Sequence, residues 1–222
     1  SIFGYNEVEG FRTQLGGRTY FGPNDPWRVQ AFVAYGAKDH KFKYGFNGKW
    51  MVEKKNRVII SAGNRRDTEQ LGGSLTTTND IFRRNFASSA FFTTSFNGNL
   101  TNIFLTNIDI EIEPVKNLTF KAGVTYKTLE SASPLFSLDY YTTLPSASNP
   151  NGVVSGVTVQ SEANLQVEFT PKRRPIAFGV ERSIASSPYS RFFISYSQGY
   201  KGIINSDFNY EKIQIYFKQP IV

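Results

Sequence analysis

Ile108-Asp109-Ile110-Glu111-Ile112-Glu113 alternates apolar and charged residues without a slip. Successive side chains of a strand point to opposite faces, so this run predicts a strand with one apolar and one charged face. Asn107 extends the polar face backwards. The same two-residue period recurs along most of the chain. A first strand is expected over about 6–17, with Phe11, Thr13 and Leu15 opposite Arg12 and Gln14. Others are expected at 28–36, 42–52, 57–72, 99–113, 119–127, 157–170, 191–198 and 212–218, about ten in all. In 42–52, Phe42, Tyr44, Phe46, Trp50 and Val52 share a face against Lys43, Asn47 and Lys49. In 119–127, Phe120, Val124 and Tyr126 stand against Lys121, Thr125 and Lys127. In 157–170, Leu165, Val167 and Phe169 stand against Asn164, Gln166 and Glu168.

The intervals between these runs differ in kind. Pro23-Asn24-Asp25-Pro26, Lys54-Lys55-Asn56, Pro114-Val115-Lys116-Asn117 and Pro171-Lys172-Arg173-Arg174-Pro175 read as turns. Residues 73–98 and 131–155 read as long loops. Short turns at one end and longer loops at the other are the habit of transmembrane barrels. The expected strands are also long, about ten to fifteen residues against about five to six in ordinary sheets. An eleven-residue strand reaches roughly 36 Å, enough to cross a bilayer with tilt. The predicted fold is therefore all-β: an antiparallel transmembrane β-barrel, or a large section of one, over residues 1–222. The alternation also suits a sandwich, whose apolar faces turn inward. Phe42, Tyr44, Phe46 and Trp50 on one strand would crowd a small sandwich core, but lie easily against lipid.

Composition narrows the picture. Phe (20) and Tyr (12) are abundant among the 222 residues, charged residues make up 19%, and no run of about 18 apolar residues exists. A spanning helix is excluded, and so is a disordered tail. Cysteine is absent, which removes disulfides, thiolate chemistry and Cys-based zinc sites. The net charge of +7 favours anionic partners. The start, Ser1-Ile2-Phe3-Gly4-Tyr5, carries no secretory signal, and Lys218-Gln219-Pro220-Ile221-Val222 is still strand-like. The expectation is a piece of a longer protein.

Candidate chemistry is sparse. His40, the one histidine, falls in the turn Lys38-Asp39-His40-Lys41 and reads as a solvated turn residue. With one His and no Cys, a transition-metal site would need carboxylates and water, and no Gly-x-Ser-x-Gly elbow is present. Asp109, Glu111 and Glu113 stand roughly 7 Å apart along one strand face, within glycosidase range. The plainer expectation is a solvated lumen face paired with Lys121 and Lys127 on the next strand. Lumen-facing positions are expected at Lys43, Lys49, Asp109, Glu111, Glu113, Lys121, Lys127, Gln166 and Glu168. Tyr20, Phe21, Trp27, Trp50, Tyr140 and Tyr141 lie near expected strand ends, where aromatic girdles sit at membrane interfaces. Arg65, Arg66, Arg83 and Arg84 form basic clusters suited to anionic lipid or to solvated loops. No catalytic residue, metal or cofactor is expected.

Short words also run in a familiar order. Asn6-Glu7-Val8-Glu9-Gly10-Phe11-Arg12, Leu15-Gly16-Gly17-Arg18-Thr19, Ala34-Tyr35-Gly36-Ala37-Lys38-Asp39 and Phe42-Lys43-Tyr44-Gly45 come first. Asp67-Thr68-Glu69-Gln70-Leu71-Gly72 and Ser206-Asp207-Phe208-Asn209-Tyr210-Glu211-Lys212 continue them. Together they resemble a family of Gram-negative outer-membrane barrels with no assigned function. Its members usually carry a carboxypeptidase-regulatory-like domain, a β-sandwich accessory module, ahead of the barrel. The chain departs from that pattern in lacking the accessory domain and the final strands. The resemblance implies an internal section of a barrel in the outer membrane, in contact with lipid or lipopolysaccharide and with other outer-membrane proteins, and not with nucleic acid. It carries no catalytic motif. The expected function is non-enzymatic transport, export or assembly. The alternatives are a soluble extracellular β-sandwich that binds glycans or proteins and, third, a membrane-bound enzyme using Asp109 or Glu111.

Overall fold

The computed structural model of the chain describes residues 3–70, 100–133, 136–175, 179–181 and 189–220. The expected loop at 73–98, with Arg83 and Arg84, lies outside the described residues. Alternation of aromatic and β-branched residues with polar ones yields strands wherever the sequence shows it. These are β1 (Phe3–Asn6), β2 (Gly10–Arg18), β3 (Trp27–Gly36), β4 (Phe42–Glu53), β5 (Val58–Gln70), β6 (Leu100–Val115) and β7 (Leu118–Ser131). After them come β8 (Tyr140–Thr143), β9 (Val153–Ser155), β10 (Val157–Phe169), β11 (Arg191–Gly199) and β12 (Tyr210–Lys218). Among the described residues there is no α-helix; a single 3-10 turn covers Ile203–Asn205. Among the described residues no helix is long and apolar enough to cross a membrane.

Among the described residues, ten strands join one antiparallel sheet in the order β1-β2-β3-β4-β5-β6-β7-β10-β11-β12. Each strand pairs with its neighbour in the chain, apart from the small β8–β9 hairpin set into the β7–β10 connection. β1 and β12 are the two edges and do not pair with each other. The sheet is an open meander, not the closed barrel that the alternation and strand lengths predict.

Two rims follow from the meander. The turns at 7–9 and 37–41, the end of β5, the start of β6 and the connections 132–156 and 200–209 share an upper rim. The connections 19–26, 54–57, 116–117 and 170–190 share the lower rim. The loop expected at 131–155 falls at the upper rim, beside short turns. The lower rim is not confined to short turns: 170–190 joins β10 to β11, where the sequence suggested a turn at 171–175. The loop expected at 131–155 holds the β8–β9 hairpin.

Two further boundaries move for local reasons. The expected strand at 6–17 is a hairpin, because Asn6 Oδ1 accepts the N–H groups of Val8 (3.1 Å) and Glu9 (2.8 Å) and Gly10 takes a left-handed φ of 65°. Pro114 falls inside β6 instead of in a turn. It has no N–H to give to the ladder, and the β6–β7 register shifts between Ile112 and Val115 to accommodate it.

The two faces of the sheet have inverted burial. Asp109 is 2% exposed, whereas its neighbours Ile108 and Ile110 are 55% and 48% exposed. Asn6, Glu9, Arg12, Lys43, Arg65, Asp67, Glu162 and Asn164 are buried as well. Leu15, Phe42, Phe46, Trp50, Val124, Leu165, Ile194, Ile213 and Ile215 are exposed. A sandwich would need a second sheet over these apolar side chains. The other sheet among the described residues is the two-stranded β8–β9 hairpin. The single sheet therefore curls around its polar side. Apolar clusters inside it are small: Met51 with Ile59 and Val180, and Ile103 with Leu105.

Candidate functional site

The polar face is organised as networks of ion pairs. Near the upper rim the Asn6 turn aims Glu9 inward, and its carboxylate meets Arg12 Nη1 at 3.0 Å and Lys43 Nζ at 2.5 Å. Arg12 Nη1 also reaches Asp67 Oδ1 at 2.7 Å, and Lys43 reaches Asp39 at 2.5 Å. Arg12 lies on β2 and Asp67 on β5, three strands along the sheet. On a flat sheet with a strand spacing of about 4.8 Å they would stand roughly 14 Å apart. Their contact is the tightest expression of the curl. Unpaired, such buried charges would each cost several kcal/mol, so the network is a condition of the fold.

A second network joins β7, β10 and β12. Glu162 accepts from Lys127 Nζ at 2.8 Å and from the Tyr210 hydroxyl at 2.8 Å, with Lys212 Nζ 3.7 Å away. Between the two networks, Asp109 on β6 lies 3.3 Å from Lys121 Nζ on β7 and accepts a hydrogen bond from the Asn107 amide. Asn164 donates to Thr125 at 3.0 Å across β10 and β7.

At the lower rim the 170–190 connection is tied down along its described parts. Thr170 N–H donates to Asn117 O at 2.9 Å, and Arg173 lies 3.9 Å from Glu113 and 4.0 Å from Glu168. Further on, Arg57 donates to the carbonyls of Gly179 (2.6 Å) and Val180 (2.9 Å). Glu181 accepts from Arg28 at 2.7 Å, Gln30 at 2.8 Å and Arg18 at 3.3 Å. A connection that begins beside the β6–β7 turn is thus fastened to β2, β3 and the 54–57 turn. It lies over the lower rim like a strap.

The expected inward residues all sit on this polar face. Lys43, Asp109 and Glu113 are buried, while Lys49, Glu111, Lys121, Lys127, Gln166 and Glu168 are half-buried. The carboxylates suspected of catalysis have separate engagements. Asp109 pairs with Lys121, Glu111 faces Lys121 in the β6–β7 register, and Glu113 accepts the Asn117 N–H at 2.7 Å. Lys127 turns away from β6 to Glu162 on β10, which stands diagonally across from it, opposite Thr125 in the β7–β10 register. Glu9, Arg12, Asp67, Glu162, Arg173 and Glu181 were not singled out by the sequence. Arg12 had a readable signal, its alternation with Gln14; Glu9 and Glu181 sit in connections, where the period gives none. Among the described residues no group of three His, Cys, Asp or Glu side chains is placed to hold a metal ion. His40 is exposed in a left-handed turn position, 3.2 Å from the Tyr35 hydroxyl.

The expected interface aromatics divide between the rims. Tyr20, Phe21, Trp27 and Trp50 are exposed near the lower rim, with Trp27 and Trp50 opposite each other in register and Phe21 5.1 Å from the Trp27 ring. Tyr140 and Tyr141 are in the β8–β9 hairpin at the upper rim, where the Tyr140 ring lies tilted against Phe208 with centroids 4.9 Å apart. The neighbouring basic residues separate: Arg65 is buried on the polar face and paired with Glu69, while Arg66 is exposed on the opposite face. Arg65 is therefore turned to the polar face and engaged there by Glu69.

No curated protein and no solved structure matches the chain. A family model does: that of the C-terminal domain of DUF5686, a family of unknown function, matches residues 1–221, and the chain belongs to that family.

Proposed function

We propose that the chain forms the wall of a β-barrel in the outer membrane of a Gram-negative bacterium, with its apolar face in lipid and its charged face lining the lumen. The observation that carries this reading is the inverted burial. A sheet that hides Glu9, Arg12, Lys43 and Asp109 while presenting Ile108, Ile110, Ile213 and Ile215 is inside out for water. It is the right way round for hydrocarbon outside and a polar interior. Strand length agrees: the 12 residues of β4 span about 40 Å, or about 28 Å at a 45° tilt, close to the height of the apolar band of such barrels. The role is non-enzymatic transport, export or assembly, carried out along the paired charges of the interior, with outer-membrane lipid and other outer-membrane proteins as partners. Hydrocarbon does not tolerate unpaired backbone N–H and C=O groups. The reading therefore requires β1 and β12 to find strand partners, either each other or further strands.

Membrane extraction tests it. The native full-length protein should stay with the outer-membrane fraction through alkaline and urea washes and leave only with detergent. It should also migrate differently on gels before and after boiling, as folded barrels do. A natively folded protein that is monodisperse in buffer without detergent would overturn the proposal and favour the soluble alternative.

A further inference from the structure

The outward face changes character at a definite height. In the β5–β6–β7 register, the rows Ile60–Ile110–Ala122 and Ala62–Ile108–Val124 are apolar. The next row towards the upper rim is Asn64–Thr106–Tyr126, with Asn64 donating to Thr106 at 2.7 Å. One row higher, Arg66 stands between Tyr44 on β4 and Phe104 on β6. Arg66 is exposed and takes no ion-pair partner among the described residues. It lines a shallow recess of about 310 Å³ together with Lys41, Phe42, Tyr44, Phe104 and Glu130.

We propose that this recess binds the phosphorylated headgroup of a membrane lipid. The inference rests on the barrel reading and adds the residue that meets the lipid. An arginine on an outward face must be solvated or paired; at mid-bilayer it costs about 2–4 kcal/mol, falling to about 0–1 near the interface. The row of Arg66 lies just above the end of the apolar belt, at the headgroup level. A guanidinium presents a planar fork matched to two phosphate oxygens, and Lys41 adds a second cation on the same recess. Phe42 and Tyr44 are exposed beside them, giving apolar area for the first carbons of the lipid. Glu130 lines the same recess with opposite charge and weakens the attraction without cancelling two cations.

The test reconstitutes the full-length protein into phosphatidylcholine vesicles with and without lipid A, extracts it, and counts retained lipid A by native mass spectrometry. The wild type should retain lipid A. Arg66→Gln should lower retention by about tenfold, the scale of one charge-assisted contact, while its heat-shifted gel mobility stays that of the wild type. Glu130→Gln should raise retention. Equal retention in wild type and Arg66→Gln would overturn the site and leave the barrel reading standing. Displacement of lipid A by millimolar inorganic phosphate would make the ligand a free anion and overturn the lipid assignment. A wild type that does not float with the vesicles would remove the barrel reading and this site with it.

Discussion

Gly123 leaves the space that the Asp109 carboxylate occupies. The two residues are opposite each other in the β6–β7 register, and a Cβ placed on Gly123 would lie 2.1 Å from Asp109 Oδ1. Glycine elsewhere on this face plays the same part: Gly45 lies under the Phe32 ring and Gly199 under Tyr210, each pair in register. Weak strand formers are kept where a large neighbour needs to lie flat along the interior. Gly123→Ala should therefore push Asp109 away from Lys121 and destabilise the fold by about 1–3 kcal/mol, the usual cost of overpacking. Urea unfolding of the reconstituted protein measures it. Adding Asp109→Ala to Gly123→Ala should recover part of the loss, because the clash and its victim go together. Strictly additive losses would show that the glycine and the aspartate are not coupled.

Arg12 bridges Glu9 and Asp67, and all three are buried. Arg12→Met would take from Asp67 its ion-pair partner and leave Glu9 with Lys43, which Asp39 also shares. Breaking a buried pair from one side costs about 3–5 kcal/mol. The loss should appear as a lower unfolding midpoint and as poor assembly into membranes. Arg12→Met combined with Asp67→Leu should cost less than Arg12→Met alone, since the pair is then removed from both sides. A single variant as stable as the wild type would mean that the β2–β5 contact does not hold the curl.

How far the sequence shows the sheet depends on where each residue's partner lies. Asp109 and Lys121 lie on strands joined by the short turn at 116–117, so alternation and hairpin register bring them to the same face of neighbouring strands, one diagonal step apart. Glu162 belongs to a strand that is separated from β7 by the 132–156 connection, and no period crosses that gap; its pairing with Lys127 is set by the tertiary fold alone. Arg12 and Asp67 meet through curvature, a property of the whole sheet and of no local pattern. The alternation also could not say which face is buried, since a sandwich and a lipid-facing sheet share it. Glu181 lies in a connection without periodicity, and its three donors come from two strands more than a hundred positions earlier in the chain. Closure was the expectation that outran the structure, because edge pairing depends on strands that alternation does not register.

Glu181 is the fastening point of the strap over the lower rim. Glu181→Ala removes the acceptor shared by Arg28, Gln30 and Arg18, while the Arg57 bonds to the carbonyls of Gly179 and Val180 remain. Glu181 is partly exposed, so the stability change should be small, about 1 kcal/mol or less. Local opening should change more than global stability. Limited proteolysis should cut between 170 and 190 several-fold faster in the variant, with strands β2 to β7 left intact. Cutting rates equal to those of the wild type would show that the other contacts, Arg57 among them, hold the strap without Glu181.

Strand β6 offers the sharpest test of what the outward face meets. Ile110 is exposed in the middle of the apolar rows, and its neighbour Asp109 is buried with Lys121. Ile110→Arg puts a cation where no anion waits. In a bilayer it should cost about 2–4 kcal/mol, as arginine does at the midplane of a barrel wall. In water it would be neutral or would improve solubility, because surface substitutions usually stay within about 0.5 kcal/mol. The polar-face control is Gln166→Arg, half-buried and opposite Lys121 in the β7–β10 register; there the cost comes from repulsion between like charges and should shrink as salt rises. Unfolding midpoints in vesicles at low and high salt distinguish the two causes. A large, salt-independent loss for Ile110→Arg with a salt-sensitive loss for Gln166→Arg fits lipid on one face and water on the other. An Ile110→Arg protein as stable as the wild type would remove lipid from the outward face.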